Sequence, residues 1–379
     1  MIRAFVFKLY PTRAQAVALA ETLDTHRRLY NRALAERKAV YETEQRGLTY
    51  GEQSAALKAQ RKSNSYLAKA NFSSCQRTLR RLDRAFVAFF RRVKAGQKPG
   101  YPRFKGRNRF DTVAYTHTDG CRFFGTSVYV QHVGRIKLKA HRATEGKIKT
   151  VSLIRRADGW HVAAVCDRGE RAVASSTLPA VGIDVGLTAF LATSDGETVG
   201  PLRAFRRAQA ALRRAQRRVA RRKTGGARRR KAVAQLRRLH LKVARQRTDF
   251  HHKTALSLVR RYGSVAHERL NIDGLARTRL AKSILDAGWG GFLTILGHKA
   301  EEAGVRVVAV PPFNTSQACS ACGALPAVPK TLKDRVHACP CGYTADRDVN
   351  AARNILLLGT GSRPGLGRQD ATRGSLRVS

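Results

Sequence analysis

Hydrophobic and polar residues alternate from the start of the chain. Over residues 2–9, Arg3, Phe5, Phe7 and Leu9 fall on one face and Ile2, Ala4, Val6 and Lys8 on the other, the two-residue period of a β-strand. After Pro11 the period lengthens. Thr12 is placed to cap a helix running to about residue 46, with Ala16, Leu19, Leu23, Leu29 and Leu34 at its apolar positions. Further helices are predicted over about 51–67 and 73–93, the latter aligning Leu79, Leu82, Phe86, Phe89 and Phe90. From Gly100 alternation returns in short runs at 112–116, 127–131, 134–139, 150–154 and 160–166, separated by Gly, Asp and Asn. That spacing predicts a small antiparallel barrel or sandwich that takes in the N-terminal strand.

A new domain opens at 181–190 with the buried strand Val181-Gly182-Ile183-Asp184-Val185-Gly186 and a second strand after a turn. Strands recur at 264–268 and 305–310 with helices between them, an α/β pattern. Between lies a segment, 203–247, that holds 19 Lys or Arg and no acidic residue, broken at Thr224-Gly225-Gly226. It reads as a basic helical hairpin. Solvated helices mix both signs of charge, so one sign over such a length points to a polyanion. Residues 359–379 are rich in Gly, Ser, Arg and Pro without periodicity and are expected to be a disordered tail.

Composition changes the picture chiefly through charge. The chain has 379 residues, enough for two or three domains, and its 43% hydrophobic content supplies cores. Against 26 Asp and Glu stand 73 Lys and Arg, a net charge of +47. A compact chain so charged repels itself unless nucleic acid neutralises it. A histone-like or ribosomal protein has the same balance, so charge alone leaves both readings open. No stretch approaches the ~20 apolar residues of a membrane span, and the N-terminus lacks a signal-peptide pattern. A cytoplasmic protein, nucleoid-associated when engaged on DNA, is expected.

Three acids stand where apolar elements end: Asp184 in its strand, Glu268 after Val265-Ala266-His267, and Asp348, with Asp346 beside it, at the start of a helix packing Ala351, Ala352, Ile355 and Leu356 inward. Each alone is ordinary, as a turn, a surface residue or a cap. In this order within one α/β domain they form a candidate metal site, since converging carboxylates repel unless they share cations. Mg²⁺ suits oxygen ligands beside phosphate, and two such ions roughly 4 Å apart serve phosphodiester hydrolysis.

Seven cysteines, four of them in one short segment, read as a metal site rather than a disulfide framework. Cys319-x-x-Cys322 and Cys339-x-Cys341, separated by 16 residues, match a structural Zn²⁺ site. The second pair is a residue short, so His337 stays open as a substitute ligand. Cys75, Cys121 and Cys166 have apolar neighbours and are expected in cores.

With these motifs assembled, the sequence resembles the TnpB family, the transposon-encoded ancestor of the type V CRISPR effectors. The resemblance runs to about residue 358. It is carried by Thr315-Ser316-Gln317-Ala318-Cys319-Ser320-Ala321-Cys322-Gly323, Cys339-Pro340-Cys341-Gly342 and Asp346-Arg347-Asp348-Val349-Asn350-Ala351-Ala352-Arg353-Asn354-Ile355. Tyr101-Pro102-Arg103-Phe104-Lys105, Asp249-Phe250-His251-His252-Lys253 and Gly182-Ile183-Asp184-Val185-Gly186 also match. The shortened second cysteine pair is a departure.

The resemblance implies an α+β multidomain fold. A wedge-type β-barrel (1–10 and 96–178) would carry an inserted helical recognition lobe (11–95), and a RuvC-like RNase H fold (179–310 and 343–358) would be interrupted by a zinc ribbon (311–342). It further implies an Mg²⁺-dependent, RNA-guided DNA endonuclease whose guide derives from the transposon end, with Asp184, Glu268 and Asp348 catalytic and Asp346 an alternative to the last. A short motif beside the target would be read by the protein, and Gln76 and Ser73, opening the third helix, are its candidate contacts, since Gln pairs bidentately with adenine. A guided binder without cleavage, a zinc-ribbon RNA-binding protein of ribosomal type and a strand-transfer transposase are the alternatives. The first does not need three intact acids, and the second leaves their order unexplained.

Overall fold

The structure is a computed structural model, in which residues 1–169, 176–331 and 333–361 are described. It divides into two compact units, Met1–Arg171 and Ala172–Ser379.

The first unit opens with β1 (Ile2–Tyr10) and α1 (Arg13–Glu44). Thr12 caps α1 through a reciprocal pair with Gln15, Gln15 N donating to Thr12 Oγ1 and Thr12 N to Gln15 Oε1. α2 (Tyr50–Ser63), α3 (Ser65–Lys69) and α4 (Phe72–Lys94) follow. The single helix expected over 51–67 is thus two, because Asn64 turns its Oδ1 to accept from Tyr66 N and Leu67 N and starts α3 anew.

Next come β2 (Thr112–Thr116), β3 (Cys121–Phe123), β4 (Ser127–Val130), β5 (Gly134–Leu138), β6 (Lys147–Arg156) and β7 (Gly159–Asp167). All pair antiparallel in one seven-stranded sheet, β2-β6-β7-β1-β5-β4-β3. β1 joins its halves, pairing Ile2–Lys8 with β7 and Leu9 and Tyr10 with β5. The alternation read in β1 shows in its burial, with Phe5, Phe7 and Leu9 at 1–2% exposure. These side chains share one core with Leu19 and Leu34 of α1, Leu82 of α4, and Val151 and Val162 of the sheet. Cys75, Cys121 and Cys166 are buried there as free thiols.

The second unit holds β8 (Ala180–Val185), β9 (Leu191–Thr193), β10 (Thr198–Val199), α5 (Ala204–Ala220), α6 (Ala227–Arg261), β11 (Ser264–Glu268), α7 (Ile272–Leu275), α8 (Ala281–Ala287), α9 (Trp289–Ala303), β12 (Arg306–Val310), β13 (Val336–Ala338), β14 (Thr344–Asp346) and α10 (Arg347–Thr360). Its five-stranded sheet has the order β10-β9-β8-β11-β12. β8, β11 and β12 run parallel, and β9 and β10 turn back antiparallel. The basic hairpin is α5 and α6, broken at Gly226 as its sequence predicts. Asp286 of α8 anchors it, accepting from Phe205 N (2.8 Å) and Arg206 N (3.1 Å) at the open N-terminus of α5. The far half of α6 enters the main core through Ala255, Leu258 and Val259.

The period of two sorts the sheet's faces. Val181, Ile183 and Val265 pack with α6 and α9 on one side. Ala266 and Val310 pack with Ile355 of α10 on the other. α10 lies close to β8 because Gly182 has no side chain: a Cβ there would sit 2.0 Å from Ala352 O. The helix runs to Thr360 and is closed by Gly361 at φ 74°, so residues 359 and 360 are helical rather than part of a tail. The rest of the expected tail, 362–379, lies outside the described residues. No helix among the described residues is long and apolar enough to cross a membrane.

Candidate active site

The three predicted acids meet at one edge of the second unit. Asp184 and Glu268 sit at the carboxyl ends of neighbouring parallel strands, the edge where open α/β sheets bind ligands. The register pairing His267 with Ile183 brings Glu268 abreast of Asp184. Strand parity turns both toward α10, with Gly182 and Ala266. Asp348 occupies the first turn of α10, and its Oδ2 lies 3.8 Å from where a Cβ of Gly186 would be. All three are half-buried, closed in by protein yet reachable from outside.

Their electrostatics report the convergence. Asp184 is pushed well above the usual carboxylate range by burial, then by Glu268, Asp348 and Asp346, with Arg347 opposing. Glu268 is raised by burial, against the Thr315 hydroxyl that donates to its Oε1. Asp348 is raised by burial and by Asp346, while Arg335 and Arg347 oppose. Burial and mutual repulsion disfavour the charged carboxylates despite these arginines, and a divalent cation among them would favour the charged forms. Their hard oxygen donors fit Mg²⁺. The carboxylate oxygens are nevertheless not drawn together as tightly as the thiols described below, the one group among the described residues within 4.8 Å of one another.

Asp346 differs from Asp348. It is exposed and serves as N-cap of α10, its Oδ1 accepting from Asp348 N (2.8 Å) and Val349 N (3.2 Å).

The four cysteines gather at two knuckles. Cys319 and Cys341 sulfurs are 3.8 Å apart, and those of Cys322 and Cys339 3.6 Å. A tetrahedron with Zn–S bonds of ~2.3 Å has edges of about 3.8 Å, so the thiols fit Zn²⁺. The shortened pair still closes its turn, with Gly342 N donating to Cys339 O and Gly342 at φ 86°. β13 and β14 form the second knuckle's hairpin, whose far strand runs past residue 342 to Asp346.

His337 is not in the cluster. It stands behind it: burial alone would raise the Cys319 thiol, but hydrogen bonds from the Cys322 backbone, His337 and the Ala321 backbone pull it down to about 6. His337 Nδ1 meets Lys330 Nζ.

Sequence reasoning missed what supports these groups. Asn350 and Asn354, buried on α10, hold the loop leading into the ribbon. Asn350 Nδ2 donates to Ala318 O (2.8 Å) and its Oδ1 accepts from Ser320 N (2.9 Å). Asn354 Nδ2 donates to Thr315 O (2.9 Å) and Ala318 O (2.8 Å). Two amides at i, i+4 on an otherwise Ala- and Ile-lined face were the available signal. Ser73 and Gln76 lie in the first two turns of α4. Ser73 Oγ donates to the cap Asn71 (2.9 Å) and Gln76 Nε2 to Ser54 Oγ (3.1 Å).

Three family models match the chain: "Helix-turn-helix domain" at 1–46, "Probable transposase" at 165–279 and "Cas12f1-like, TNB domain" at 289–355. The first covers what is here a strand and a single helix. In fold, the chain is similar to that in a solved "Cas12f1-sgRNA-target DNA complex", with TM-score 0.58 and 15% identity over 91% of this chain and 83% of that one. A "Putative RNA-guided DNA endonuclease" of Streptomyces pristinaespiralis is 34% identical, covering 94% of this chain and 89% of the relative. "Putative RNA-guided DNA endonuclease InsQ" of Escherichia coli K12 is 27% identical over 94% and 92%. The chain belongs to the TnpB family.

Proposed function

We propose that this chain is an RNA-guided DNA endonuclease that cuts double-stranded DNA at Asp184, Glu268 and Asp348, which would hold Mg²⁺. The observation carrying this reading is the placement of three half-buried carboxylates at the carboxyl ends of β8 and β11 and the first turn of α10. Asp184, Glu268 and Asp348 would hold the divalent ions, whose chemistry there would be to polarise a phosphoryl oxygen and to lower the pKa of an attacking water. The chain's own part is to present oxygen donors on one sheet face, at positions fixed by strand register and by α10.

Asp348 rather than Asp346 is assigned the third role, because Asp346 is spent on capping. In the same reading the five-stranded sheet with α10 is the RuvC-like nuclease fold, and the seven-stranded sheet is the wedge barrel. The bridge between His117 and Cys121, next to the two end strands, supports the latter. Residues 203–247, the turn Thr224–Gly226 with the helical stretches either side, carry charge of one sign suited to RNA and DNA backbones, and relatives named RNA-guided DNA endonucleases support these partners. Base pairing would then read sequence while the protein tracks phosphates. Ser73 and Gln76 are proposed to read the motif beside the target, which requires Gln76 to exchange Ser54 for a base.

The test begins by sequencing the RNA that co-purifies with the full chain, whose 3′ end names the guide. Plasmids carrying the matching target next to randomised flanks are then incubated with the complex and Mg²⁺. Linear product from a subset of flanks is expected; intact plasmid with every flank overturns the proposal.

A further inference from the structure

The group best placed to govern Glu268 is Thr315. It lies in the loop after β12, is 3% exposed, and donates its hydroxyl proton to Glu268 Oε1. The loop is shaped for this contact. Asn314 adopts the left-handed region at φ 56°, where Asn is tolerated, and its carbonyl accepts from Gln317 N and Ala318 N. Gln317 fixes the loop from the far side, exchanging hydrogen bonds with the Lys330 backbone at 2.9 and 3.1 Å.

The carbonyl of Thr315 itself is held by Asn354, on the helix whose first turn bears Asp348. One rigid helix therefore carries one acid directly and steadies the partner of another. A free glutamate has several rotatable bonds, and ordering it costs conformational entropy when it binds a cation. A donor that holds one oxygen beforehand removes part of that cost.

We propose that Thr315 is a positioning residue, holding Glu268 Oε1 so that the remaining oxygen is presented to the divalent cation. This rests on the nuclease reading above. Supporting partners of metal-binding carboxylates commonly govern affinity or activity by about 10–100-fold.

The test uses the full chain with its co-purifying RNA. Site-bound Mn²⁺ is measured by electron paramagnetic resonance as the excess over the D184N/E268Q/D348N variant carrying the same RNA, and cleavage is followed against Mg²⁺ concentration. T315V should need at least about tenfold more Mn²⁺ for half-occupancy and about tenfold more Mg²⁺ for half-maximal cleavage. T315S, which keeps the hydroxyl, should stay near wild type, with zinc content and guided DNA binding unchanged in both.

A T315V protein with wild-type metal dependence overturns the inference. So does T315S as weak as T315V, or a T315V that loses zinc or DNA binding along with Mn²⁺, since Thr315 would then serve only the fold. A wild-type complex that neither binds Mn²⁺ in excess nor cleaves would instead sink the nuclease reading.

Discussion

Gly182 and Ala352 approach so closely that a single methyl group would separate them: a Cβ on Gly182 would lie 2.0 Å from the Ala352 carbonyl oxygen and 2.6 Å from Leu356 N. Both obstacles are backbone, which cannot swing aside, so α10 would have to lift. Gly182→Ala is expected to destabilise the second unit by about 3 kcal/mol or more, the upper range for overpacking. It should also abolish cleavage, because lifting α10 carries Asp348 away from Asp184. Chemical denaturation followed by the fluorescence of Trp289 and a plasmid assay check both; unchanged stability would contradict the packing.

The neighbouring acids at the start of α10 separate by substitution. Asp348→Asn, like Asp184→Asn and Glu268→Gln, should lower the cleavage rate by more than the roughly 100-fold ceiling of a supporting residue, with guided DNA binding retained. Asp346→Asn should cleave at a near wild-type rate, since asparagine is as good an N-cap as aspartate. Asp346→Ala should cost about 1 kcal/mol. Reversal of the two positions would hand the third role to Asp346.

One Zn²⁺ per chain is expected by elemental analysis of the purified protein. Cys322→Ser should remove it, because three thiolates leave the tetrahedron incomplete. His337→Gln should retain it but release it about 10–100-fold faster to a chelator, as expected when a supporting hydrogen bond to a ligand is weakened. Loss of metal from the His337 variant at full ribbon folding would make the histidine a ligand after all.

His26 gives the first unit a pH-dependent stability. It is buried between Thr22 O and Ser74 Oγ at 2.8 Å from each, and burial pulls its pKa from 6.5 down to about 4 against the Thr22 contact. The unfolded chain takes up the proton first, so its contribution is intact above about pH 6.5 and is lost as pH falls toward 4, by at most roughly 3 kcal/mol. Asp184 and Glu268, whose pKa values are raised, act in the opposite sense. The difference between wild type and His26→Gln isolates the histidine. Melting curves should show wild type losing more stability than the variant between pH 7 and 4.5; parallel losses would show that His26 is protonated in the fold.

Arg214, Arg217, Arg218, Arg221 and Arg222 line one groove along α5. Changing Arg214, Arg217 and Arg221 to Gln should reduce the slope of log affinity for the co-purifying RNA against log salt, by ~0.7 for each single-strand phosphate no longer neutralised. An unchanged slope would mean that this face of the hairpin does not meet the RNA.

Much of this was written in the linear order of residues. Period-two alternation gave β1 and the core strands, and Thr12 and Gly226 marked helix starts, because these depend on neighbours within a turn. The same parity places Gly182 with Asp184 and Ala266 with Glu268 on one sheet face once the strands are known. Cysteine spacing gave the ribbon, since a tetrahedron needs only knuckles of the right length. Local pattern did not give the break at Asn64, where a side chain competes with the helix for its own backbone.

Tertiary structure alone decided relationships between residues distant in sequence. That β8 pairs with β11, so that Glu268 stands abreast of Asp184, follows from a parallel register no local signal encodes. That Asp346 rather than Asp348 caps α10 required knowing which carboxylate was taken by helix amides. His337 reads from spacing as a rival ligand and becomes a hydrogen-bonding partner of Cys319 only when the knuckles close around it. Asn350 and Asn354 showed as two amides on an apolar helix face and Thr315 as part of a family motif, but their role is a set of hydrogen bonds made after β12, the ribbon loop and α10 pack together. Composition and periodicity report what each segment buries; which charges then face one another depends on packing across the sheet.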